Sequence, residues 1–215
     1  MELMEHSKAI AHLESLIQSI LSAYKDTNTE WRMHAQIQNF PMFNQKKYRV
    51  SDLGDNPSFF ESIYGYTTFL NQNHKPESLF NIEGDGYLLT CRVKNQNSIQ
   101  DKYNEYSMER RQKIGDVNVN KCFNDLFGIR VIYNINELKK ENIQYLEERY
   151  PIKINERSVP PNDSGYGYTA IHIYFKEDNT TFQWELQIWL AKHRESNLKS
   201  HSHHRYKYSK WEKEE

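Results

Sequence analysis

The sequence predicts an α/β fold in which a mixed sheet of about five strands is flanked by helices. From Gly86 onward the pattern reads strand, helix, strand, helix, hairpin, helix, which is typical of a sheet covered by helices. The 215 residues include 15 Tyr, 10 Phe and 4 Trp, whose large side chains supply the buried area of a core. No apolar run approaches the ~20 residues that a membrane-spanning helix requires. These observations favour a globular domain over a disordered or membrane-spanning chain.

Two helices are predicted in the first 80 residues. Apolar residues recur every three to four positions from about residue 4 to residue 24, which predicts an amphipathic helix that ends in the polar run 26–29. A second, aromatic-rich helix is predicted after Pro57. Residues 71–85 are rich in Asn, Gly, Asp and Pro and are predicted to form a loop.

The elements from residue 86 onward are also predicted from their periodicity. Alternating or continuous apolar runs predict the strands, and a spacing of three to four residues predicts the helices. The predicted strands are residues 87–94, 127–133, 168–176 and 180–189, the last two joined by a turn at 177–179, and the predicted helices are about residues 97–113, 135–149 and 190–208.

The charge of the chain is almost balanced, with 28 Lys and Arg against 29 Asp and Glu. This balance excludes a uniformly basic nucleic-acid-binding surface, although basic and acidic faces can still be segregated. The chain lacks the apolar core of a signal peptide, and Cys91 and Cys122 are interpreted as reduced thiols, which together predict a cytoplasmic location without a membrane partner. The apolar stripes of residues 1–80 are too small for a separate core, so we expect these residues to pack on a single domain that spans residues 1–215.

One face of the predicted hairpin gathers polar and titratable side chains. On the first strand Tyr168, His172 and Tyr174 point away from the apolar side, and on the second strand Glu185 and Gln187 do the same. A solvated sheet face explains one such strand equally well. Two facing strands that both carry aromatic and titratable groups favour a functional site.

A basic cluster lies where the first predicted strand of this region passes into a helix. Arg92 and Lys94 share one face of the strand end, and Ser98 and Lys102, four residues apart, share one face of the helix. Arg offers bidentate contacts, Lys a point charge, and a helix start free N–H groups, which is the chemistry of a polyphosphate site. A solvated basic stripe is the alternative.

Asp125 immediately precedes the strand predicted at residues 127–133. A lone Asp at such a position commonly caps a turn. Beside a polyphosphate site it is also a candidate magnesium ligand, because Mg²⁺ prefers one or two carboxylates together with phosphate oxygens.

Four short motifs that contain the residues described above, taken in their order along the chain, resemble the synthetase domain of the RelA/SpoT family. Each motif alone is weak, and all four in order across about residues 86–208 make a strong signal. The resemblance implies a nucleotidyltransferase-like fold and a pyrophosphokinase that transfers the β,γ-pyrophosphate of ATP to a ribose 3′-hydroxyl and leaves AMP. The motifs are R-x-K-x3-S-x3-K (Arg92 to Lys102), D-L-x-G-I-R (Asp125 to Arg130), G-Y-x-x-x-H (Gly167 to His172) and E-x-Q-I (Glu185 to Ile188).

The resemblance also implies roles for individual residues. Glu185 helps to activate the acceptor hydroxyl, and Tyr168 stacks on the acceptor base. His172 and Gln187 orient the centre. Mg²⁺ is the implied cofactor, with Asp125 and Glu185 as its ligands. The residues implied to bind ATP are Arg92, Lys94, Ser98, Lys102, Arg130 and Arg157.

The acceptor side departs from the family pattern. Members that make guanosine tetra- or pentaphosphate carry two basic residues ahead of G-Y-x-x-x-H. Arg157 lies near the first position, but residues 162–164 offer no cation at the second. Because the 5′-phosphates of GDP or GTP favour such a cation, another acceptor is indicated. The Gly-Tyr unit is duplicated, so Tyr166 rivals Tyr168 for the stacking role.

The organisation of the chain resembles the toxic branch of the small alarmone synthetases, since no hydrolase domain precedes the motifs and no long helices follow them. This resemblance implies a translation-inhibiting toxin that pyrophosphorylates the 3′-CCA end of tRNA and has a protein antitoxin. A (p)ppGpp synthetase acting on GDP or GTP is the alternative, and a non-catalytic binding module is the third possibility. Candidate contacts to the tRNA backbone, each otherwise explained as solvated surface, are Lys46, Lys47, Arg49 and Arg205.

Overall fold

The computed structural model describes residues 4–54, 56–73, 82–84, 86–107, 117–161 and 167–200. These residues form helices around one mixed sheet, which confirms the predicted α/β class. The sheet has six strands where about five were predicted, because it contains one short strand of three residues beside five longer ones. The strands are β1 (Ile82–Gly84), β2 (Tyr87–Val93), β3 (Phe127–Tyr133), β4 (Ile152–Val159), β5 (Tyr168–Phe175) and β6 (Trp184–Leu190).

Helices precede, connect and follow the strands. Within the described part of the chain, no helix is long and apolar enough to span a membrane. The helices are α1 (His6–Ile37), α2 (Pro57–Asn73), α3 (Gln96–Ser107), the single turn α4 (Val119–Cys122) and α5 (Lys140–Arg149), with 3-10 turns at Val50–Leu53 and Ala191–His193 and a helical segment at residues 194–200.

The strand order is β1-β2-β3-β6-β5-β4, and the β3–β6 pair is the parallel one. Phe127 of β3 is paired with Trp184 of β6, so both strands start at the same edge of the sheet. Asp125, two residues before β3, and Glu185, the second residue of β6, are therefore brought to one edge although 60 residues separate them in sequence. This parallel pair positions the two carboxylates of the site.

Side-chain alternation divides the sheet into two faces. The core face carries fully buried apolar residues such as Leu186 and Ile173, and Trp184 on this face contacts Tyr24 of α1 with ring centroids 5.4 Å apart. The opposite face, called the site face below, carries Arg92 of β2, Arg130 of β3, His172 of β5, and Glu185 and Gln187 of β6. Helices α1 and α2 share one hydrophobic core with the core face, and a smaller buried cluster that includes Tyr168 and Trp189 lies on the site face.

The predicted end of the first helix at residues 26–29 is wrong, because α1 continues to Ile37. Thr27 and Asn28 are buried, and Trp31 and Ala35 extend the buried stripe by two further turns. Burial of this stripe outweighs the weak helix propensity of Asp, Thr and Asn.

Other differences concern short or polar elements. Strand β1 lies within the predicted loop, and strand β4 was not predicted, since its exposed residues lack clean alternation. Helix α5 begins at Lys140 rather than at residue 135. Residues 176–183 form the β5–β6 connection in place of the predicted tight turn, with Asp178 accepting hydrogen bonds from the N–H groups of Thr180 and Thr181.

Tyr66 joins α2 to β6 through a buried hydrogen bond. The Trp184 Nε1–H donates to the Tyr66 hydroxyl over 2.7 Å, and both side chains are fully buried. Tyr66→Phe keeps the ring and removes the acceptor of the indole N–H, so we expect the free energy of unfolding to fall by about 1–3 kcal/mol. Urea denaturation measures the loss, with Tyr64→Phe as control because the Tyr64 hydroxyl bonds Gln100 at the surface. Equal losses in the two variants would contradict this role of Tyr66.

Candidate active site

A cleft of about 320 Å³ opens on the site face at the edge where β3 and β6 begin. Of the residues predicted from the sequence, Arg92, Asp125, Arg130, Glu185 and Gln187 line it. Four of these come from three adjacent strands, β2, β3 and β6, and the fifth precedes β3. Residues from motifs far apart in sequence therefore meet in one concave site.

The strand register fixes the neighbours of each polar side chain. Glu185 lies opposite Gly128 on β3 and opposite Tyr174 on β5. Gln187 lies between Arg130 on β3 and His172 on β5. Gly128 thus leaves open space beside Glu185, since a Cβ at this glycine would meet only the Arg92 side chain, 4.0 Å away.

A continuous chain of hydrogen bonds crosses the site. The Tyr168 hydroxyl is 3.2 Å from His172 Nε2, and His172 Nδ1 is 2.9 Å from Glu185 Oε1. Gln187 Nε2 donates to Glu185 Oε2 over 2.7 Å, and the Gln187 carbonyl accepts from Arg130 Nε and Nη2 over 3.2 and 3.1 Å. Each member orients the next, so the position of Glu185 is fixed on both of its oxygens.

Glu185 is buried yet ionised. Burial alone would raise the pKa of Glu185, and the negative charge of Asp125 acts in the same direction. The hydrogen bonds from His172 and Gln187, with the charge of His172, outweigh both, so the pKa is lowered from its usual value. Burial, together with the charge of the same carboxylate, raises the pKa of Tyr174 above its usual value.

Asp125 is held by two lysines of the basic motif. Lys94 Nζ is 2.7 Å from Asp125 Oδ2, and Lys102 Nζ is 3.0 Å from Oδ1. Burial would raise the pKa of Asp125, but the charges of Lys102 and Lys94 outweigh it and hold this pKa well below the usual range. Burial also lowers the pKa of Lys94, whereas for Lys102 the charge of Asp125 reverses the effect of burial and the pKa is raised.

The basic motif also shapes the start of α3. Asn95 Oδ1 accepts the backbone N–H of Ser98 over 2.7 Å, which caps the first turn of α3. Lys102 lies one turn further along and reaches Asn124 as well as Asp125. Lys94 and Lys102 of the predicted basic cluster thus meet at Asp125, and Ser98 lies in the capped first turn of α3.

The donor set of the cleft fits a magnesium ion held together with nucleotide phosphates. No group of three or more His, Cys, Asp or Glu side chains is arranged to hold a metal among the residues that the structure describes. Two ionised carboxylates, Asp125 and Glu185, line the same cleft, and the charge of one raises the pKa of the other. Such a pair suits Mg²⁺, which takes one or two protein carboxylates and completes its shell with phosphate oxygens and water.

Trp189 contacts this network and was not selected from the sequence, whereas Tyr174 was assigned to this face without a role of its own. The Arg130 guanidinium lies 3.8 Å from the centre of the Trp189 ring, and Tyr174 is the direct cross-strand neighbour of Glu185. Strand alternation alone assigns Trp189 and Tyr174 to the site face and was the available signal.

Tyr168 is 8% exposed. Its ring is 5.8 Å from the Arg157 guanidinium carbon and meets Trp189 edge-on with centroids 6.2 Å apart. Burial is the largest cause that raises the pKa of Tyr168, to about 12. The hydroxyl is therefore a neutral donor or acceptor towards His172, and the ring lies beneath Arg157.

The remaining candidates do not line the cleft or lie outside the described residues. Lys46, Lys47 and Arg49 are exposed in the segment between α1 and α2, where Arg49 pairs with Asn118 as an isolated bridge. Tyr166, residues 162–164 and Arg205 lie outside the described residues.

Comparison with known proteins identifies a family. The family described as "Region found in RelA / SpoT proteins" matches residues 91–211, which is more than half of the chain and includes every residue lining the cleft except Thr90. No curated protein sequence matches the chain.

The solved structures to which the chain is similar include a small alarmone synthetase and a GTP pyrophosphokinase family protein. The small alarmone synthetase 1 of Bacillus subtilis bound to its product pppGpp is 16% identical, with a TM-score of 0.35 over 74% of this chain and 80% of that chain. A GTP pyrophosphokinase family protein of Streptococcus pneumoniae is 21% identical, with a TM-score of 0.31 over 72% of each chain. On the match of the family over residues 91–211, the chain belongs to the RelA/SpoT family of pyrophosphokinases.

Proposed function

We propose that this protein transfers the β,γ-pyrophosphate of ATP to the 3′-hydroxyl at the 3′-CCA end of tRNA and thereby acts as a translation-inhibiting toxin. The observation that carries the reaction is the buried, ionised Glu185, fixed on both oxygens and facing a cleft with Asp125 and two arginines. Transfer of this kind is mainly positioning and charge neutralisation, which these residues supply.

The residues in and beside the cleft are proposed to bind ATP, to activate the acceptor hydroxyl and to hold magnesium. Arg92 and Arg130 bind ATP, and Arg130 is pre-positioned by Trp189 and Gln187. Lys94 and Lys102 bind its phosphates, for which they exchange their contact with Asp125. Glu185 accepts the proton of the attacking hydroxyl, and His172 holds Glu185 in place. Asp125 and Glu185 would hold magnesium, which when bound supplies positive charge to the transferring phosphates.

The choice of tRNA as the acceptor rests on the absence of a cationic residue at positions 162–164. A GDP or GTP acceptor brings 5′-phosphates that favour a second cation, and the sequence offers none there. A tRNA end carries its charge on a backbone, for which the exposed Lys46, Lys47 and Arg49, together with Arg205, are candidates. Such a function implies a cytoplasmic location, where ATP and tRNA are found. It also implies a protein antitoxin as a partner.

Labelled ATP tests the acceptor directly. The protein is incubated with ATP labelled at the γ-phosphate and with either deacylated tRNA or GDP and GTP. We expect label at the 3′ end of tRNA. When the terminal ribose has been oxidised with periodate before the reaction, the acceptor hydroxyl is lost and we expect no label. Label in guanosine nucleotides alone would replace the tRNA proposal by the alarmone synthetase alternative. Label in neither acceptor would contradict both.

Tyr168 is proposed to stack on the acceptor base, with Arg157 moving aside from its ring. A stacked base is worth about 1–3 kcal/mol, so we expect Tyr168→Ala to lower transfer by about 10- to 100-fold while ATP affinity stays unchanged. Tyr166→Ala is expected to be milder. The two rates and the two ATP affinities are measured side by side. Normal transfer by Tyr168→Ala with a large loss in Tyr166→Ala would assign the stacking role to Tyr166.

A further inference from the structure

The helical segment of residues 194–200 is fastened to the start of β5 by a buried amide. Asn197 is 0% exposed, and its carboxamide makes two hydrogen bonds to one backbone unit. The N–H of Thr169 donates to Asn197 Oδ1 over 2.9 Å, and Asn197 Nδ2 donates to the Thr169 carbonyl over 2.8 Å. The side chain thus bonds Thr169 as a neighbouring strand would.

A second bond fixes the same stretch of backbone two residues earlier. The Ser196 hydroxyl donates to the Gly167 carbonyl over 2.6 Å. Gly167 is itself packed closely, because a Cβ there would lie 2.8 Å from the carbonyl oxygen of Val159. Residues 167 and 169 are therefore both held by adjacent residues of the helix, and the position of the helix on the sheet is specified rather than loose.

The next residue of this helix, Leu198, lines the cleft. Leu198 is 44% exposed. Ile129 also lines the cleft, but alternation directs its side chain to the core face, where it is buried. Leu198 thus brings exposed apolar surface to a cleft whose site-face side chains, such as Arg92 and Arg130, are charged or polar.

We propose that the helix of residues 194–200 is the wall of the cleft that contacts the purine base of ATP, through Leu198, and that Asn197 is the positioning residue that holds this wall in place. A nucleobase is the part of ATP that an aliphatic side chain can recognise, because its ring is flat and weakly hydrated while the phosphates require cations. The inference rests on the proposed function only in taking ATP as the ligand.

The test compares ATP with inorganic tripolyphosphate, which carries the phosphates without the base. Affinities of both are measured by calorimetry with magnesium for the wild type and Leu198→Ser. We expect ATP to bind about 5- to 10-fold more weakly to Leu198→Ser, from the loss of the apolar contact, and tripolyphosphate to bind equally. Ile37→Ser is the matched control, since Ile37 is 74% exposed and does not line the cleft.

Asn197→Ala tests the positioning role in the same assay. It is expected to lose the preference for ATP over tripolyphosphate to a similar extent and to speed hydrogen exchange at the Thr169 amide. Unchanged ATP affinity in Leu198→Ser, or an equal loss for ATP and tripolyphosphate, would overturn the inference. Failure of the proposed function is recognised separately, as a wild type that binds ATP but labels no acceptor.

Discussion

Replacing Glu185 by Gln is expected to lower pyrophosphate transfer by about 10²–10³-fold or more, the loss seen when one essential electrostatic group is removed. The amide keeps the size of the side chain and removes the negative charge that accepts the hydroxyl proton and would bind magnesium. In the wild type the two carboxylate oxygens contact His172 Nδ1 and Gln187 Nε2. The amide replaces one of these oxygens by an N–H₂ group, which cannot accept a hydrogen bond.

Initial rates of transfer at saturating ATP measure the effect. Glu156→Gln is the matched control, because Glu156 is exposed on β4 and has its cross-strand partner, Ile171, on the face opposite to the site. Thermal unfolding of both variants shows that the fold is retained. A Glu185→Gln variant that is folded and transfers at the wild-type rate would remove Glu185 from the mechanism.

Replacing Asp125 by Asn is expected to abolish transfer and also to destabilise the protein. Lys94 and Lys102 then lose their shared counter-ion at 2.7 and 3.0 Å. Removal of one partner from a buried charge network costs about 3–5 kcal/mol, because an uncompensated charge remains, and this is the upper bound for the partly exposed side chains of this network. Combining Asp125→Asn with Lys94→Met is expected to restore part of the free energy of unfolding without restoring transfer.

The direction of the pKa shift adds a pH signature to this variant. The pKa of Asp125 is lower in the folded than in the unfolded protein. Its stabilisation is therefore complete above the ordinary Asp pKa of about 4 and is lost as the pH falls towards the folded value. The difference in unfolding free energy between wild type and Asp125→Asn, measured by urea denaturation, should narrow from pH 6 to pH 3. A difference that stays constant or grows over this range would contradict the lysine pairing.

The sequence predicts the apolar strands β2, β3, β5 and β6 well, because period-two alternation and continuous apolar runs are properties of short segments. Glu185 and Gln187 are assigned to the same face as His172 on this basis alone. The extent of α1 was missed, since the burial of Thr27 and Asn28 depends on distant parts of the chain. Strand β4 was missed because its edge position leaves most of its residues exposed.

The chemistry of Asp125 shows the same division between local and distant information. The sequence shows that Asp125 precedes a strand. From this position alone, both turn capping and magnesium binding were possible roles. The structure adds the bonds to Lys94 and Lys102, which link segments 31 and 23 residues away. A long-range ion pair of this kind leaves no periodic trace, and the same holds for the contact between Arg130 and Trp189.

The reaction type is tested most directly by comparing ATP labelled at the β-phosphate with ATP labelled at the γ-phosphate. Both substrates are incubated with the protein, magnesium and deacylated tRNA, and the labelled RNA and the released nucleotide are separated. Pyrophosphate transfer predicts equal labelling of the RNA from both substrates and release of AMP in the same amount. Labelling from γ-labelled ATP alone, with release of ADP, would show phosphate transfer and would contradict the proposed reaction.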